Sequence, residues 1–339
     1  MKMIRASVIG GGSWGSAFAL HLSRLKIRTR LWVREEEIHR RLQITRENKV
    51  FLPGFIFPPE VSFYQSLEEA LDSAELIFIA VPSQFCREVF IQMAPYIGAG
   101  QCIVSLTKGI EEGSLKRMSE VAEEILLRTP RSQIAVISGP SFAREVAQAH
   151  PTAVVIAARE IEFAERVQHF ISNINFRAYT SRDVVGVELA GALKNVIAIA
   201  AGALDSLHFG YNSAAALMTR GLAEIARLGT NMGAKKETFF GLAGIGDLVL
   251  TCTGKLSRNH HLGIELGKGK SLSEIMSGMK MIAEGIPTTV SAHELARKRG
   301  VELPICEAVY QVLYNNKSLF KAIQDLMSRA LKAEHGGDG

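Results

Sequence analysis

The residue that most clearly invites a chemical interpretation is Lys194, which lies in a segment of mostly apolar and small residues, 187–197. An ammonium group in such a segment costs free energy unless it is paired. Burial and neighbouring cations lower the pKa of a lysine towards the range that is useful for acid–base catalysis. The alternative is that the apolar stem is buried while the ammonium reaches solvent. The residues alone leave both interpretations open.

Two further polar residues, Lys108 and Ser141, each follow a strand-like run, at 102–106 and 134–137. Ligands of open α/β sheets bind beyond the carboxyl ends of the strands, so both positions fall near a predicted site. The alternatives are that Lys108 is a solvated loop lysine and that Ser141, in the turn 138–143, only caps the next helix.

Asp247 ends a glycine-rich turn at residues 241–246. Its carboxylate either caps a helix that starts at Leu248 or orients a catalytic ammonium group.

A short segment further along the chain gathers hydrogen-bond donors, of which Arg258 and Asn259 suit a phosphate group, and a helix N-terminus there would assist them. Ser257 precedes them. The two histidines that follow, His260 and His261, are adjacent rather than four residues apart, and no thiolate cluster accompanies them. We therefore predict no metal site.

The N-terminal glycines Gly10, Gly12 and Gly15 match the pattern G-x-G-x-x-G between an apolar strand-like run, 4–10, and a helical stretch, 13–25. The first glycine allows a tight turn, the second lets the backbone approach a pyrophosphate, and the third lets the helix pack near the strand. Because the helix also offers free N–H groups to phosphates, the segment predicts dinucleotide binding.

Cofactor preference depends on the residue that follows the second strand-like run, 29–33. That residue is Arg34, which can hold a 2′-phosphate with two hydrogen bonds, so NADP(H) is favoured. The adjacent Glu35 leaves NAD(H) open, and Arg34 can also be a solvated loop residue.

The elements that must position these residues change character near Arg182. Before it, strand-like runs alternate with helical stretches, which predicts a Rossmann-type, doubly wound parallel sheet with helices on both faces. After it, helical periodicity dominates and predicts an all-α domain. We expect a dinucleotide-binding domain at 1–182, a helical substrate domain at 183–334 and a flexible tail at 335–339.

Composition restricts the function classes. The net charge of +5 comes from basic residues interspersed with acidic ones, which gives no nucleic-acid stripe. The four cysteines have no C-x-x-C spacing and are typical of reduced thiols in a cytosolic protein. No window of about 20 residues lacks charge, so no membrane span is predicted, and the glycines and charges within residues 1–26 argue against a signal peptide.

Taken together, these segments resemble the bacterial NAD(P)-dependent glycerol-3-phosphate dehydrogenase family over nearly the whole chain. Several independent blocks occur in the family's order, which is more specific than the glycine pattern alone. The matching blocks are residues 10–17, 138–143, 194–196, 241–252, 257–259, 284–285 and 304–305.

The resemblance implies a role for each matching residue. Lys194 corresponds to the proton-transfer lysine, with Lys108, Asp247 and Thr251 near the reacting carbon. The implied substrate contacts are Lys108, Gly139, Ser141, Lys194, Asn195, Asp247, Ser257, Arg258 and Asn259. The implied cofactor contacts are Gly10, Gly12, Ser13, Trp14, Gly15, Arg34, Lys108, Ala143, Arg258, Ile282 and Glu284. Many relatives carry tyrosine or phenylalanine at the position of Trp14, and some carry histidine at the position of Arg34. The second difference affects only the strength of the NADPH preference.

The resemblance further implies reduction of dihydroxyacetone phosphate to sn-glycerol 3-phosphate for phospholipid synthesis by a cytoplasmic homodimer. Two alternatives stay open. One is another two-domain dehydrogenase, such as a 6-phosphogluconate or hydroxyacyl-CoA enzyme, and the other is an NADPH sensor without chemistry.

Overall fold

The structure is a computed structural model that describes residues 5–279, 281–331 and 333–334. Its first half is an eight-stranded sheet in the order β3-β2-β1-β4-β5-β6-β7-β8. The strands are β1 Arg5–Ile9, β2 Arg28–Trp32, β3 Val61–Tyr64, β4 Leu76–Ile79, β5 Cys102–Ser105, β6 Ile134–Ser138, β7 Thr152–Ala158 and β8 Phe176–Ser181. The strand order reverses between β1 and β4, which opens a crevice at their carboxyl ends.

Helices cover both faces of the sheet, and the predicted doubly wound Rossmann-type fold is confirmed. They are α1 Ser13–Arg24, α2 Glu36–Thr45, α3 Leu67–Leu71, α4 Cys86–Met93, α5 Met118–Ile125, α6 Ala143–Ala147 and α7 Ile161–Ile171. One apolar core cluster includes Phe18 and Phe78, and a second includes Phe90 and Ile103.

The sheet differs from the prediction of an all-parallel sheet at one place, because β7 runs antiparallel to β6. The connection between them contains only the five residues of α6 as helix. Such a helix rises about 7.5 Å, which is shorter than the strand that a parallel crossover would have to run back along.

The described residues of the second half form helices joined by short connections and no β-strand, as predicted. Its helices are α8 Val184–Ser206, α9 Tyr211–Asn231, α10 Asp247–Thr253, α11 Arg258–Gly267, α12 Leu272–Gly278, α13 Gly285–Arg299, α14 Pro304–Tyr314 and α15 Leu319–Met327. The last helix ends at Met327, and both Lys332 and the predicted tail 335–339 lie outside the described residues.

Helix α8 is the centre of the helical half, with α9, α10, α11 and α13 packed around it. By length and mean hydropathy it is the one described helix that could cross a membrane, but 83% of its most apolar window is buried by the rest of the protein. It is therefore accounted for as a core helix, as its apolar pattern predicts.

The helical core also receives one fully buried residue from the other half of the chain, Ile110. Ile110 lies in the connection between β5 and α5, residues 106–117, which we call the β5–α5 connection. Its carbonyl accepts hydrogen bonds from the side chains of Gln84 and Ser291. The same connection carries Lys108 near its start.

Candidate active site

Two ammonium groups share one carboxylate at the carboxyl end of the sheet. Lys194 Nζ lies 2.7 Å from Oδ1 of Asp247, and Lys108 Nζ lies 2.7 Å from Oδ2 of the same residue. Asp247 is 1% exposed and Lys194 is 6% exposed. The ammonium of Lys194 is thus paired and buried rather than directed to solvent.

Thr251, one turn after Asp247 on α10, fixes the direction of these hydrogen bonds. Its hydroxyl donates to the carbonyl of Asp247 at 2.7 Å and accepts from Lys194 Nζ at 2.6 Å. Lys194 is therefore the donor to both neighbours in this arrangement, which suits a protonated lysine poised to release a proton.

The pKa of Lys194 is lowered to about 8. Burial is the largest cause, the carboxylate of Asp247 opposes it, and the ammonium of Lys108 lowers the pKa further. A lysine with a pKa near 8 can exchange a proton close to neutral pH.

Asp247 does not cap a helix with its side chain, because it is itself the first residue of α10 and makes no capping bond there. The capping interpretation is therefore wrong. The same holds for Ser141: Phe142 is the residue that precedes α6, without a side-chain capping bond. The Ser141 hydroxyl instead donates to the carbonyl of Gly139, which also accepts from Lys108 Nζ at 2.8 Å.

The donor-rich segment forms the start of α11, as the phosphate interpretation requires. Ser257 caps the helix through its hydroxyl, which accepts from the backbone N–H of His260. Arg258 reaches solvent, while the protein around it lowers the pKa of its guanidinium and the Glu284 carboxylate opposes that shift. A cation that is both accessible and partly desolvated is suited to bind an anion.

Two amides connect this segment to the helix that carries Lys194. Asn259 Nδ2 donates to Asn195 Oδ1 at 2.9 Å, and the backbone N–H of Gly285 donates to Asn259 Oδ1 at 2.9 Å. The starts of α11 and α13 are thereby fixed against α8. Residues 284–285 belong to the blocks that carry the resemblance, but the hydrogen bond from Gly285 could not be predicted because it depends on where three helices meet.

The glycine loop has the predicted geometry. Gly10 has a φ of +120°, and a Cβ at Gly15 would lie 1.9 Å from the carbonyl oxygen of Gly10. A Cβ at Gly12 would meet nothing within 4 Å, so the backbone there is open to a pyrophosphate. These residues fit a dinucleotide.

Residues that the sequence did not single out support the glycine loop. Asn48, fully buried, donates to the carbonyl of Gly11 at 2.7 Å. The hydroxyl of Ser13 donates to the carbonyl of Phe51 at 2.7 Å. Nothing in the local pattern around Asn48 or Phe51 indicates this, because both contacts cross more than 30 residues.

Arg34 follows β2 and lies at the surface, where its guanidinium pairs with Glu35 at 3.0 Å and stands 5.6 Å above the ring of Phe85. It is accessible to a ligand beyond the end of β2. Phe85, which directly precedes α4, is a neighbour that the sequence did not single out.

The segment before α13 reaches across the crevice to the sheet. Met281 Sδ lies 3.1 Å from the hydroxyl of Ser13, and the carboxylate of Glu284 accepts hydrogen bonds from the N–H and the hydroxyl of Ser83. Ile282 is 40% exposed between them. The segment 281–284 thus contacts Ser13 at one end and carries Glu284 at the other, and both residues are predicted to contact the cofactor. Trp14 instead packs against the sheet core.

The thiols and histidines of the described residues form no metal site. No group of three or more His, Cys, Asp or Glu side chains could hold an ion there, and the four cysteines are free and buried.

Two family models match the chain. One describes the NAD-dependent glycerol-3-phosphate dehydrogenase N-terminus and matches residues 5–164. The other describes the C-terminus of the same family and matches residues 183–324.

Curated relatives carry the same function in their names. A glycerol-3-phosphate dehydrogenase [NAD(P)+] of Geobacter sulfurreducens is 49% identical over 330 residues, which is 97% of this chain and 98% of the relative. One of Citrifermentans bemidjiense is 50% identical over 330 residues, with the same coverage.

Among solved structures, the glycerol-3-phosphate dehydrogenase of Coxiella burnetii is 40% identical, with a TM-score of 0.92 over 96% of this chain and 99% of that chain. A ketopantoate reductase of Ralstonia eutropha, 15% identical with a TM-score of 0.59, shares the fold alone.

Proposed function

The chain belongs to the NAD-dependent glycerol-3-phosphate dehydrogenase family, and from this premise we propose that Lys194 is the acid and base of its reaction. The reaction interconverts dihydroxyacetone phosphate and sn-glycerol 3-phosphate with NAD(P). The observation that carries the proposal is the sharing of the Asp247 carboxylate by Lys194 and Lys108.

The nicotinamide cofactor, when bound, supplies or accepts the hydride. In the reducing direction the carbonyl oxygen of the substrate gains negative charge, and protonated Lys194 donates a proton to it. Lys108 stabilises the same charge before the proton arrives. In the oxidising direction, neutral Lys194 removes the hydroxyl proton of glycerol 3-phosphate.

Asp247 and Thr251 hold Lys194 rather than react. The carboxylate of Asp247 offsets the cost of a buried ammonium, and the Thr251 hydroxyl limits its rotation. Because Asp247 binds both lysines, its carboxylate still has Lys108 as a charged partner after Lys194 has lost its proton.

The substrate phosphate is assigned to the N-terminus of α11. Arg258 supplies the charge, and Ser257 and Asn259 supply polar groups beside it, while the helix dipole favours an anion there. Gly139, Ser141 and Asn195 line the same region through their contacts with Lys108 and Asn259.

The cofactor is assigned to the crevice at Gly10, Gly12, Ser13, Trp14 and Gly15, with Ala143, Ile282 and Glu284 at its borders. Arg34 binds the 2′-phosphate, so NADPH is preferred over NADH. Lys108 and Arg258 are assigned contacts with both the substrate and the cofactor.

We assign the dinucleotide-binding domain to residues 1–182 and the helical substrate domain to residues 183–334. The four buried, unpaired thiols are in keeping with a reducing compartment, the cytoplasm. We further propose a homodimer whose product supplies the glycerol backbone of phospholipids.

Reduction of dihydroxyacetone phosphate by the purified protein, followed by the loss of reduced-cofactor absorbance with NADPH and NADH in parallel, tests these assignments. We expect turnover with both cofactors and a higher kcat/KM with NADPH. Turnover with equal kcat/KM for the two cofactors would contradict the role of Arg34. Near-normal turnover by a folded Lys194→Ala variant would contradict the role of the lysine.

A further inference from the structure

Glu188 is a buried carboxylate that the reaction does not use. It lies on α8, six residues before Lys194, and it is 7% exposed. Its oxygens accept from Arg117 Nη1 at 2.6 Å, from the backbone N–H of Ser119 at 2.8 Å and from the hydroxyl of Ser119 at 2.6 Å. Arg117 and Ser119 stand at the start of α5, in the other half of the chain.

Burial raises the pKa of Glu188, and the charge of Arg117 and the hydrogen bonds from Ser119 oppose that shift. Burial acts to lower the pKa of Arg117, but the carboxylates of Glu188 and Glu120 outweigh it and raise the pKa. A buried ion pair is weak support for stability, because desolvation offsets most of the attraction between its charges. Stability alone therefore does not account for the pair, and its geometry indicates a further role.

The partners of Glu188 end the β5–α5 connection, and Lys108 begins it. Between these two points the connection runs along α8. A Cβ at Gly191, one turn after Glu188, would lie 2.4 Å from Oγ of Ser138 and 3.6 Å from Cγ of Lys108. The absence of a side chain at Gly191 therefore leaves room on α8 for Ser138 and for the stem of Lys108. Ile110, next but one after Lys108, is fully buried in the helical core. Glu188, Gly191 and Lys194 thus mark successive turns of α8 along which the connection is fastened.

From this arrangement we propose that Glu188 is a positioning residue that fixes the β5–α5 connection on α8 and so sets the placement of Lys108 beside Lys194. The proposal rests on the proposed roles of the two lysines. Glu188 touches neither substrate nor cofactor in it and acts only through Lys108.

The charges around Lys194 give this role a specific readout. Asp247 and Cys252 of α10 and Lys108 of the β5–α5 connection act on the pKa of Lys194, whereas Glu188 does not act on it directly. If Lys108 moves away, Lys194 loses a repelling cation and keeps Asp247 to itself. Its pKa then rises from about 8 towards the ordinary lysine range.

The test replaces Glu188 by Gln and measures dihydroxyacetone phosphate reduction across pH. We expect kcat to fall by about tenfold or more, since misplacement by about 1 Å can cost up to 100-fold. We expect the decline of kcat at high pH to move to higher pH. KM for the substrate should change less than kcat, because Arg258, which is assigned to the phosphate, stands on α11.

Glu224→Gln is the matched control. Glu224 is also a buried carboxylate on a long helix that accepts from two backbone N–H groups at the start of another helix, here Ile305 and Cys306 of α14. We expect this variant to lose stability but to keep the wild-type pH profile. An unmoved pH profile in Glu188→Gln, with the kcat of Glu224→Gln, would overturn the proposal.

A milder variant covers the case in which Glu188→Gln does not fold. Ser119→Ala removes one of the hydrogen bonds to Glu188 and leaves the ion pair in place. It should shift the pH profile in the same direction by a smaller amount, and an unmoved profile in this variant would again overturn the proposal.

The pKa of Lys194 can also be read without turnover, from the pH dependence of its acetylation by acetic anhydride measured by mass spectrometry. A rise in this pKa in Glu188→Gln, absent when Lys108 is already alanine, supports the proposal. No rise would overturn it whatever the catalytic role of Lys194. Conversely, near-normal turnover in Lys194→Ala would contradict the proposed acid–base role of Lys194. The acetylation measurement would then still test whether Glu188 sets the placement of Lys108.

Discussion

The ammonium of Lys194 and the carboxylate of Asp247 form a buried ion pair, with 2.7 Å between Nζ and Oδ1. Removing one partner of such a pair leaves a buried charge without compensation. In this protein the remaining carboxylate would still have Lys108. The site is therefore built to tolerate the departure of the Lys194 proton, which acid–base catalysis requires.

Replacement of Lys194 by Ala should lower kcat by roughly 10²–10⁴-fold, the usual contribution of a general acid or base. Steady-state reduction of dihydroxyacetone phosphate measures the effect. Lys268→Ala, at an exposed lysine that pairs with Glu265, is the control and should leave kcat unchanged. A folded Lys194→Ala variant with the kcat of this control would exclude Lys194 as the acid.

The two directions of the reaction should depend on pH in opposite ways. Reduction needs protonated Lys194, so its kcat should fall as pH rises through about 8, while oxidation needs neutral Lys194 and should gain rate over the same range. Parallel pH profiles for the two directions would contradict this assignment.

Asp247→Asn removes the negative charge at this position and changes the shape of the side chain little. The Asp247 charge raises the pKa of Lys194 against the effect of burial, so its loss should lower that pKa further. We expect the high-pH decline of the reduction rate to move to lower pH in this variant. A shift to higher pH, or none, would show that Asp247 does not set the protonation of Lys194.

Arg258→Ala should raise KM for dihydroxyacetone phosphate by about 10–100-fold, since a hydrogen bond to a charged group contributes roughly 1.5–3 kcal/mol. The change in kcat should be smaller, because the phosphate is remote from the reacting carbon. Arg329→Ala, at an exposed arginine paired with Glu302, serves as the control. An unchanged KM would remove Arg258 from the phosphate site.

Local patterns allowed much of the fold to be predicted. The unit of β1, α1 and β2 follows from one apolar run, three glycines and a helical stretch within about 30 residues. By contrast, β3 and α2 were not predicted. The strand has four residues at the edge of the sheet, and α2 buries only Leu42 along its length, so neither has a strong periodic pattern.

The site residues could be predicted one by one, but not their grouping. Asp247 is 53 residues from Lys194 and 139 residues from Lys108, and the bridge between them depends on how α10 packs on α8. No spacing in the chain encodes that contact. For the same reason the support of the glycine loop by Asn48 and the hydrogen bond from Gly285 to Asn259 became visible only in the structure.

The packing of α8 on α11 can be tested at a glycine. A Cβ at Gly263 would lie 2.0 Å from the carbonyl oxygen of Ile199, so Gly263→Ala must push the two helices apart. We expect a loss of about 1–3 kcal/mol in the free energy of unfolding and a raised KM, because Arg258 moves with α11. Gly278→Ala, where a Cβ meets nothing within 4 Å, is the matched control and should be neutral in both respects. Equal stability of the two variants would contradict the close approach of the helices.

The cofactor preference depends on Arg34, whose guanidinium makes an exposed ion pair with Glu35 that a phosphate group can replace. A 2′-phosphate carries more charge than a carboxylate and accepts two hydrogen bonds from one guanidinium, so NADPH should displace the exposed Glu35 contact. Arg34→Ala should therefore lower kcat/KM for NADPH by about 10–100-fold and change that for NADH much less. Arg41→Ala, at an exposed arginine of α2 that pairs with Glu37, tests whether surface charge alone has this effect. If both variants lower the two cofactors' kcat/KM equally, Arg34 acts only through general charge and the 2′-phosphate must be bound elsewhere.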